Sequence, residues 1–201
     1  MSASTWTFAL ALAGCAASGH TSTPTLPSAS GLAPPFLARQ RVVATAGPER
    51  RAFEAVLQYD GSELLLLGLT PMGTKAFVVR QRGTVATSES FVDRPLPAPP
   101  EAILLDVHWS YFLAADTPRK DGWHRRTLHG LRLRERWQGG RVHERIVAPR
   151  GGVPVRIAYA DGLVEGRFPA GVVVVHEDPR GQRSLRLEIT TLSHDPIAAT
   201  R

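Results

Sequence analysis

Leu64-Leu65-Leu66-Leu67-Gly68-Leu69-Thr70-Pro71-Met72-Gly73-Thr74-Lys75-Ala76-Phe77 is the stretch whose reading decides the fold. Leu64 to Leu69 is a strand apolar on both faces, Thr70-Pro71-Met72-Gly73 is a turn whose second position is fixed by Pro, and Lys75 to Arg82 is the next strand. A turn at a sheet rim leaves Met72 as an exposed, flexible thioether suited to adaptable apolar contacts. Upstream, Phe53, Ala55, Leu57 and Tyr59 alternate with Glu54 and Gln58, and Asp60-Gly61 is a two-residue hairpin signal. Downstream, Gly83 turns the chain into a weaker strand, Val85 to Val92. The pattern is an antiparallel meander.

Pro95, Pro97, Pro99 and Pro100 then stop strand pairing, because Pro removes a ladder donor. Glu101 to Ala115 reads as a helix, with Pro100 in its first turn and Glu101 at the positive end of the dipole. Ile103, Leu104, Val107, Tyr111 and Ala114 form one stripe, while Leu105, Trp109, Phe112 and Leu113 carry apolar area round most of the circumference. Such a helix must be sandwiched or must cover a greasy surface. Strands resume from Asp121-Gly122: Trp123 to Leu128, Leu131 to Trp137, Val142 to Ala148, Val153 to Ala160, Val172 to His176 and Ser184 to Thr191. The expectation is a mainly β protein of about ten or eleven strands with one central helix, and no solenoid or propeller repeat.

At the N-terminus a short apolar run, Trp6 to Ala13, precedes Gly14 and Cys15, the single cysteine of the chain. Small residues ahead of a lone Cys resemble a bacterial lipoprotein signal peptide, although residues 1–14 contain no Lys or Arg. The resemblance implies cleavage after residue 14 and acylation, as with palmitate, of Cys15. Residues 16–37 hold no Asp, Glu, Lys or Arg and are rich in Ser, Thr, Ala and Pro, the composition of a flexible tether. The expected organisation is therefore signal peptide 1–14, acylated Cys and tether 15–37, and folded domain 38–201.

Composition narrows the function. Lys plus Arg number 24 against 18 Asp plus Glu, a formal charge of +6, with lysine only at 75 and 120. The arginines are spread along strands among acidic residues, with no basic run interleaved with aromatics, so nucleic acid is not an expected partner. Seven His residues offer no metal spacing: His108 stands alone on the helix, and His124 and His129 point to opposite strand faces. No nucleophile elbow or phosphate-cradling Gly loop is present. Glu135 and Glu144 sit where neighbouring arginines would pair with them across strands. No catalytic residue, metal or cofactor is expected, and the chain is read as a non-enzyme.

Leu69 to Phe77 resembles the strand–turn–strand of the LolA/LolB-like outer-membrane lipoproteins, in which an L-T-N-P-L-G turn projects a Leu into solvent. Here Leu69, Pro71, Met72 and Gly73 form the protruding apolar loop, one residue shorter between Thr and Pro. The Pro-rich approach to a helix with Trp109, Val155 to Tyr159, and Leu185 to Ile189 extend the likeness over residues 50 to 192. The L-T-P-x-G-x-x-x-F core is similar to the uncharacterised lipoproteins of aryl-polyene biosynthesis gene clusters.

The resemblance implies a strongly curved antiparallel sheet, an open half-barrel, with the helix as plug or lid. It further implies a cavity walled by Leu57, Leu65, Leu67 and Phe77 and closed by Leu104, Trp109 and Phe112. The implied protein is a monomer anchored through Cys15 at the periplasmic face of the outer membrane. It would bind or transfer acyl-chain or polyene-lipid cargo, with a LolA-like carrier as a partner. Two rivals remain at this stage: a non-enzymatic adaptor of an envelope lipid synthesis or export complex, with a filled interior, and a hydrolase or transferase using His108 or Asp106.

Overall fold

The computed structural model describes residues 25–93, 96, 98–114, 118–164, 167–177 and 184–197. Cys15, the signal peptide and Asp116 lie outside them. Eleven strands form one sheet: β1 (Phe36–Ala46), β2 (Glu49–Tyr59), β3 (Glu63–Leu69), β4 (Lys75–Arg82), β5 (Val85–Ser90), β6 (Gly122–Leu128), β7 (Leu131–Gln138), β8 (Arg141–Ala148), β9 (Val155–Leu163), β10 (Gly171–His176) and β11 (Leu185–Pro196). Their spatial order is β5-β4-β3-β2-β1-β11-β10-β9-β8-β7-β6, all neighbours antiparallel. Two meanders, β1–β5 and β6–β11, are thus sewn together by the long β1–β11 ladder. The edges β5 and β6 do not pair, so the sheet stays open, as expected for a half-barrel.

Between β5 and β6, at opposite edges, the chain must cross a whole face of the sheet. The helix α1 (Pro100–Val107) and the π-wound turn His108–Phe112 that continues it are that crossing. The expected helix over 101–115 therefore ends earlier: Leu113 is already extended, and its N–H bonds the His108 carbonyl five residues back at 2.8 Å. Bulges at Arg39/Gln40, Gly68/Leu69, Arg136/Trp137 and Val142/Glu144 bend the sheet.

The inner wall, the face under the helix, follows from register. On β1 it is Phe36, Ala38, Gln40 and Val42; on β2, Ala55, Leu57 and Tyr59; on β3, Leu64, Leu66 and Gly68. The expected parity of β3 is corrected. Leu65 and Leu67 pair with Gln58 and Val56 and lie on the outer face, partly exposed. Directly opposite residues of antiparallel strands share a face, and Tyr59 and Leu57 stand opposite Leu64 and Leu66, so Leu65 and Leu67 cannot line the same wall as Leu57. Asp60-Gly61 opens a longer loop in place of a two-residue hairpin, closing with Tyr59 opposite Leu64. The Glu63 and Ser62 backbone N–H groups both donate to Asp60 Oδ1, at 2.7 and 2.8 Å, and hold its carboxyl below the usual carboxylate range. A two-residue turn at Asp60-Gly61 would have set Leu57 opposite Leu64 and kept the same parity, so the loop slides β3 along β2 without changing its faces.

Two further boundaries differ from expectation. β1 starts at Phe36, inside the stretch read as tether. Residues 25–35 also lie against the domain: Leu26 and Ala29 are buried, the Ala29 N–H bonds the Gly83 carbonyl at 2.8 Å, and the Gly31 N–H bonds the Tyr59 hydroxyl at 2.9 Å. Composition alone missed this because few apolar residues suffice when a preformed rim supplies hydrogen-bond partners. β9 likewise runs through Asp161-Gly162 to Leu163, with Gly162 at φ 74°.

Gly68 has a steric reason. A Cβ there would stand 2.2 Å from a ring carbon of Phe77, the residue it pairs with. Gly68→Ala is expected to cost about 1–3 kcal/mol in urea denaturation, the usual penalty of overpacking. In a Phe77→Ala background the same change should cost much less; an unchanged cost would refute the packing explanation.

Candidate functional site: the helix-covered inner wall

Pro100 opens α1, Glu101 lies in its first turn, and the Pro99 carbonyl accepts from the Ala102 and Ile103 N–H groups. Leu104, Leu105 and Val107 are buried, and His108, Trp109 and Ser110 are buried in the π-wound turn. Of the two expectations for a helix apolar all round, sandwiched or covering a greasy surface, the second is found. Leu57, Leu104 and Trp109 sit in one core with Val79, Leu133, Ile157 and Val174, and Phe77 and Phe112 pack on its margin. The expected cavity is closed in this state: Leu57 and Leu104 are wholly buried and Trp109 is 5% exposed.

The wall also holds the crossing segment through polar side chains from five strands. From β4, Gln81 Oε1 lies 2.7 Å from His108 Nε2, while Gln81 Nε2 donates to the Pro27 and Gly83 carbonyls at 2.5 and 2.8 Å. From β1, Gln40 Nε2 donates to the Tyr111 hydroxyl at 3.0 Å. From β8, Arg145 Nη1 donates to the Trp109 carbonyl at 3.1 Å. From β9, the Tyr159 hydroxyl donates to the Ser110 carbonyl at 3.1 Å. From β10, His176 Nε2 meets Asp106 Oδ2 at 2.8 Å. Sequence reading singled out none of Gln40, Gln81, Arg145 and Tyr159. The available signal was a polar residue at inward parity, such as Glu135 between Leu133 and Trp137.

Burial sets the charge state of these groups. Desolvation lowers the His108 pKa to about 4, so its ring is neutral and Nε2–H donates to Gln81. Desolvation pushes both Tyr111 and Tyr159 up, so each hydroxyl stays protonated. Beside them Phe36, Tyr111, Phe112, Phe168 and His194 form an aromatic cluster, with Phe168 stacked on Tyr111 at 4.7 Å and on His194 at 4.6 Å.

Asp106 and His108 are two apart on the helix and face different partners, His176 and Gln81. Glu144 takes Arg136 and Arg156 on the outer face, and Glu135 takes Arg126 and Arg145 on the inner one. Among the described residues no group of three potential metal ligands occurs. Thr70 and Thr74 close the Pro71–Gly73 loop through backbone and hydroxyl bonds of 2.8 Å, and Met72 is 91% exposed beside exposed Pro71 and Gly73. Leu69 precedes it, half-buried.

Two hollows lie elsewhere. A groove of about 480 Å³ is lined by Arg125, Arg132, Arg134 and Ile146, which register places on the outer face. A smaller one of about 200 Å³ lies among Arg141, Asp161, Phe168 and Leu192.

A family of proteins of unknown function, DUF3261, matches residues 37–193. The chain belongs to that family. No curated protein matches it. Among solved structures, it is similar to one from Vibrio parahaemolyticus described as an outer membrane lipoprotein-sorting protein domain, with a TM-score of 0.51, 8% identity, and coverage of 86% of this chain and 89% of that one. It is also similar to a DUF1329 family protein from Desulfovibrio piger, with a TM-score of 0.46, 10% identity, and coverage of 85% and 89%. The DUF3261 chain therefore has the LolA/LolB-like fold: one open antiparallel sheet with a helix on its inner wall.

The His108 shift fixes a pH dependence. The native ring refuses a proton that the unfolded chain accepts below its ordinary pKa of about 6.5. Stability is full above that value and falls as pH drops toward 4, by up to about 3 kcal/mol. Denaturant unfolding at a series of pH values should show His108→Asn losing part of this acid-side slope; an identical slope would count against a neutral His108.

Proposed function

We propose that this DUF3261 protein is a lipid-anchored envelope protein that binds or transfers acyl-type hydrophobic cargo, with the α1 crossing as its lid. The observation that carries the reading is the cover itself. A sheet that does not close has its apolar wall covered by a helix apolar on most sides, held to it by apolar packing and by hydrogen bonds from wall side chains. The mechanism is thermodynamic. Displacing the lid uncovers a few large apolar side chains at roughly 2 kcal/mol each, and an acyl chain burying about ten methylenes returns about 8 kcal/mol. The two are close enough for exchange.

The rest of the reading rests on the sequence resemblance. Cys15 would be acylated and would hold the domain as a monomer at the periplasmic face of the outer membrane. Met72 would touch acyl chains there. Cargo would be lipoprotein acyl chains or an aryl-polyene lipid, handed over by a LolA-like carrier, with no bond made or broken. A second reading, a non-enzymatic adaptor, is favoured by the filled interior and by the outer groove at Arg125, Arg132 and Arg134.

Mass spectrometry of lipids co-purifying with the detergent-extracted protein separates the two. A carrier brings stoichiometric acyl lipid; an adaptor brings none. Met72→Glu should leave unfolding unchanged, because the side chain touches solvent, yet slow transfer to liposomes several-fold. Unchanged transfer would remove Met72 from the mechanism.

A further inference from the structure

Beneath the π-wound turn lies a charged cluster that a purely apolar carrier does not need. Glu135 on β7 accepts from Arg126 Nε at 3.0 Å and from Arg126 Nη2 at 3.1 Å, one bond to each carboxylate oxygen. Arg145 Nε then shares Glu135 Oε1 at 2.8 Å. The Arg145 side chain is fully buried, Glu135 nearly so, and Arg126 largely so. Two guanidinium groups thus share one carboxylate, leaving a net positive charge in the interior among the described residues. Taking such a charge out of water costs several kcal/mol unless it is paired and hydrogen-bonded.

The pairing is incomplete at the point nearest the lid. Arg145 Nη1 reaches only the Trp109 carbonyl and, at 3.5 Å, the Tyr159 hydroxyl. Arg145 Nη2 lies 2.8 Å from Glu135 Oε1 without an aligned hydrogen bond, and the buried Ser110 Oγ has no partner. When the lid lifts, the Trp109 and Ser110 carbonyls leave with it. Arg145 and the Tyr159 hydroxyl then present converging donors with no acceptor.

We propose that the wall uncovered when the lid lifts is a site for an anionic amphiphile, whose carboxylate or phosphate replaces the Trp109 and Ser110 carbonyls on Arg145 and Tyr159. The inference rests on the lid reading above and adds the class of cargo. A guanidinium fork suits a carboxylate or phosphate, since it donates two parallel charge-assisted bonds. The wall continues accordingly: register sets Ile157, Val174 and Leu187 in one row beside Arg145, on three successive strands. At the usual strand spacing that row offers roughly 14 Å of apolar track for the chain behind the headgroup.

Binding of palmitic acid, hexadecyl phosphate and hexadecanol to the full chain tests this. At neutral pH the acid or the phosphate should bind at least tenfold tighter than the alcohol. Arg145→Lys should cut that preference to within about twofold, read as the ratio of the acid or phosphate affinity to the hexadecanol affinity, because the bond to the Trp109 carbonyl changes for all three ligands alike. Arg126→Gln, at a less buried position, gives the same test if the Lys variant fails to fold. A preference for phosphate points to a phospholipid-type headgroup, and a preference for carboxylate to a fatty acid; either supports the site. Equal binding of all three amphiphiles, or a preference retained in both variants, overturns it while the lid reading stands. Binding of none overturns both.

Discussion

An antiparallel sheet of eleven strands whose edges do not meet has one apolar wall that it cannot cover by itself. Everything else in this molecule answers that constraint. A closed barrel would have buried its interior with its own far strands. Here β5 and β6 are left at opposite edges, and the segment joining them lies over the wall. The crossing helix is therefore both the connection and the cover, and it is apolar nearly all round because it meets the wall over a wide arc. The exposed strand edges are short and polar, as on β5, which limits pairing with other chains.

The way the cover is held matters as much as its apolarity. Interdigitated apolar packing alone would make the helix a permanent core element. Here Gln40, Gln81, Arg145, Tyr159 and His176 each reach a specific atom of the crossing segment. A neutral hydrogen bond contributes about 1 kcal/mol net, yet leaving its buried partners unmade costs more. Such a set therefore locks one geometry of the crossing segment. The π-wound turn at His108–Phe112, an arrangement often found at functional sites, lies where four of these bonds converge.

Much of the architecture was legible in the sequence because it is local. Period-two alternation, Gly and Pro punctuation and the helix's apolar circumference gave the strands, the lone helix and the exposed Met72 turn. What failed was long-range or depended on one residue of register. Phe36 to Ala46 has no strong hairpin signal, yet it is the hub that joins the two meanders. Leu64 and Leu66 stand opposite Tyr59 and Leu57 and share their face, which sets Leu65 and Leu67 outward. The polar latches were invisible because Arg145 and Gln81 resemble ordinary strand polar residues until parity is known. The N-terminal stretch from Leu26 to Pro35 was read as tether from composition, whereas the Gly83 carbonyl and the Tyr59 hydroxyl bind it to the domain.

Native-state hydrogen exchange of the amides in residues 100–112, followed with and without palmitic acid, addresses the lid most directly. If the crossing segment opens as a unit, its amides exchange well before those of β1 and β2, and the added amphiphile changes their rates while the central strands keep theirs. If the segment exchanges only at the rate of global unfolding and ignores the amphiphile, the helix is a fixed part of the core and the lid does not exist.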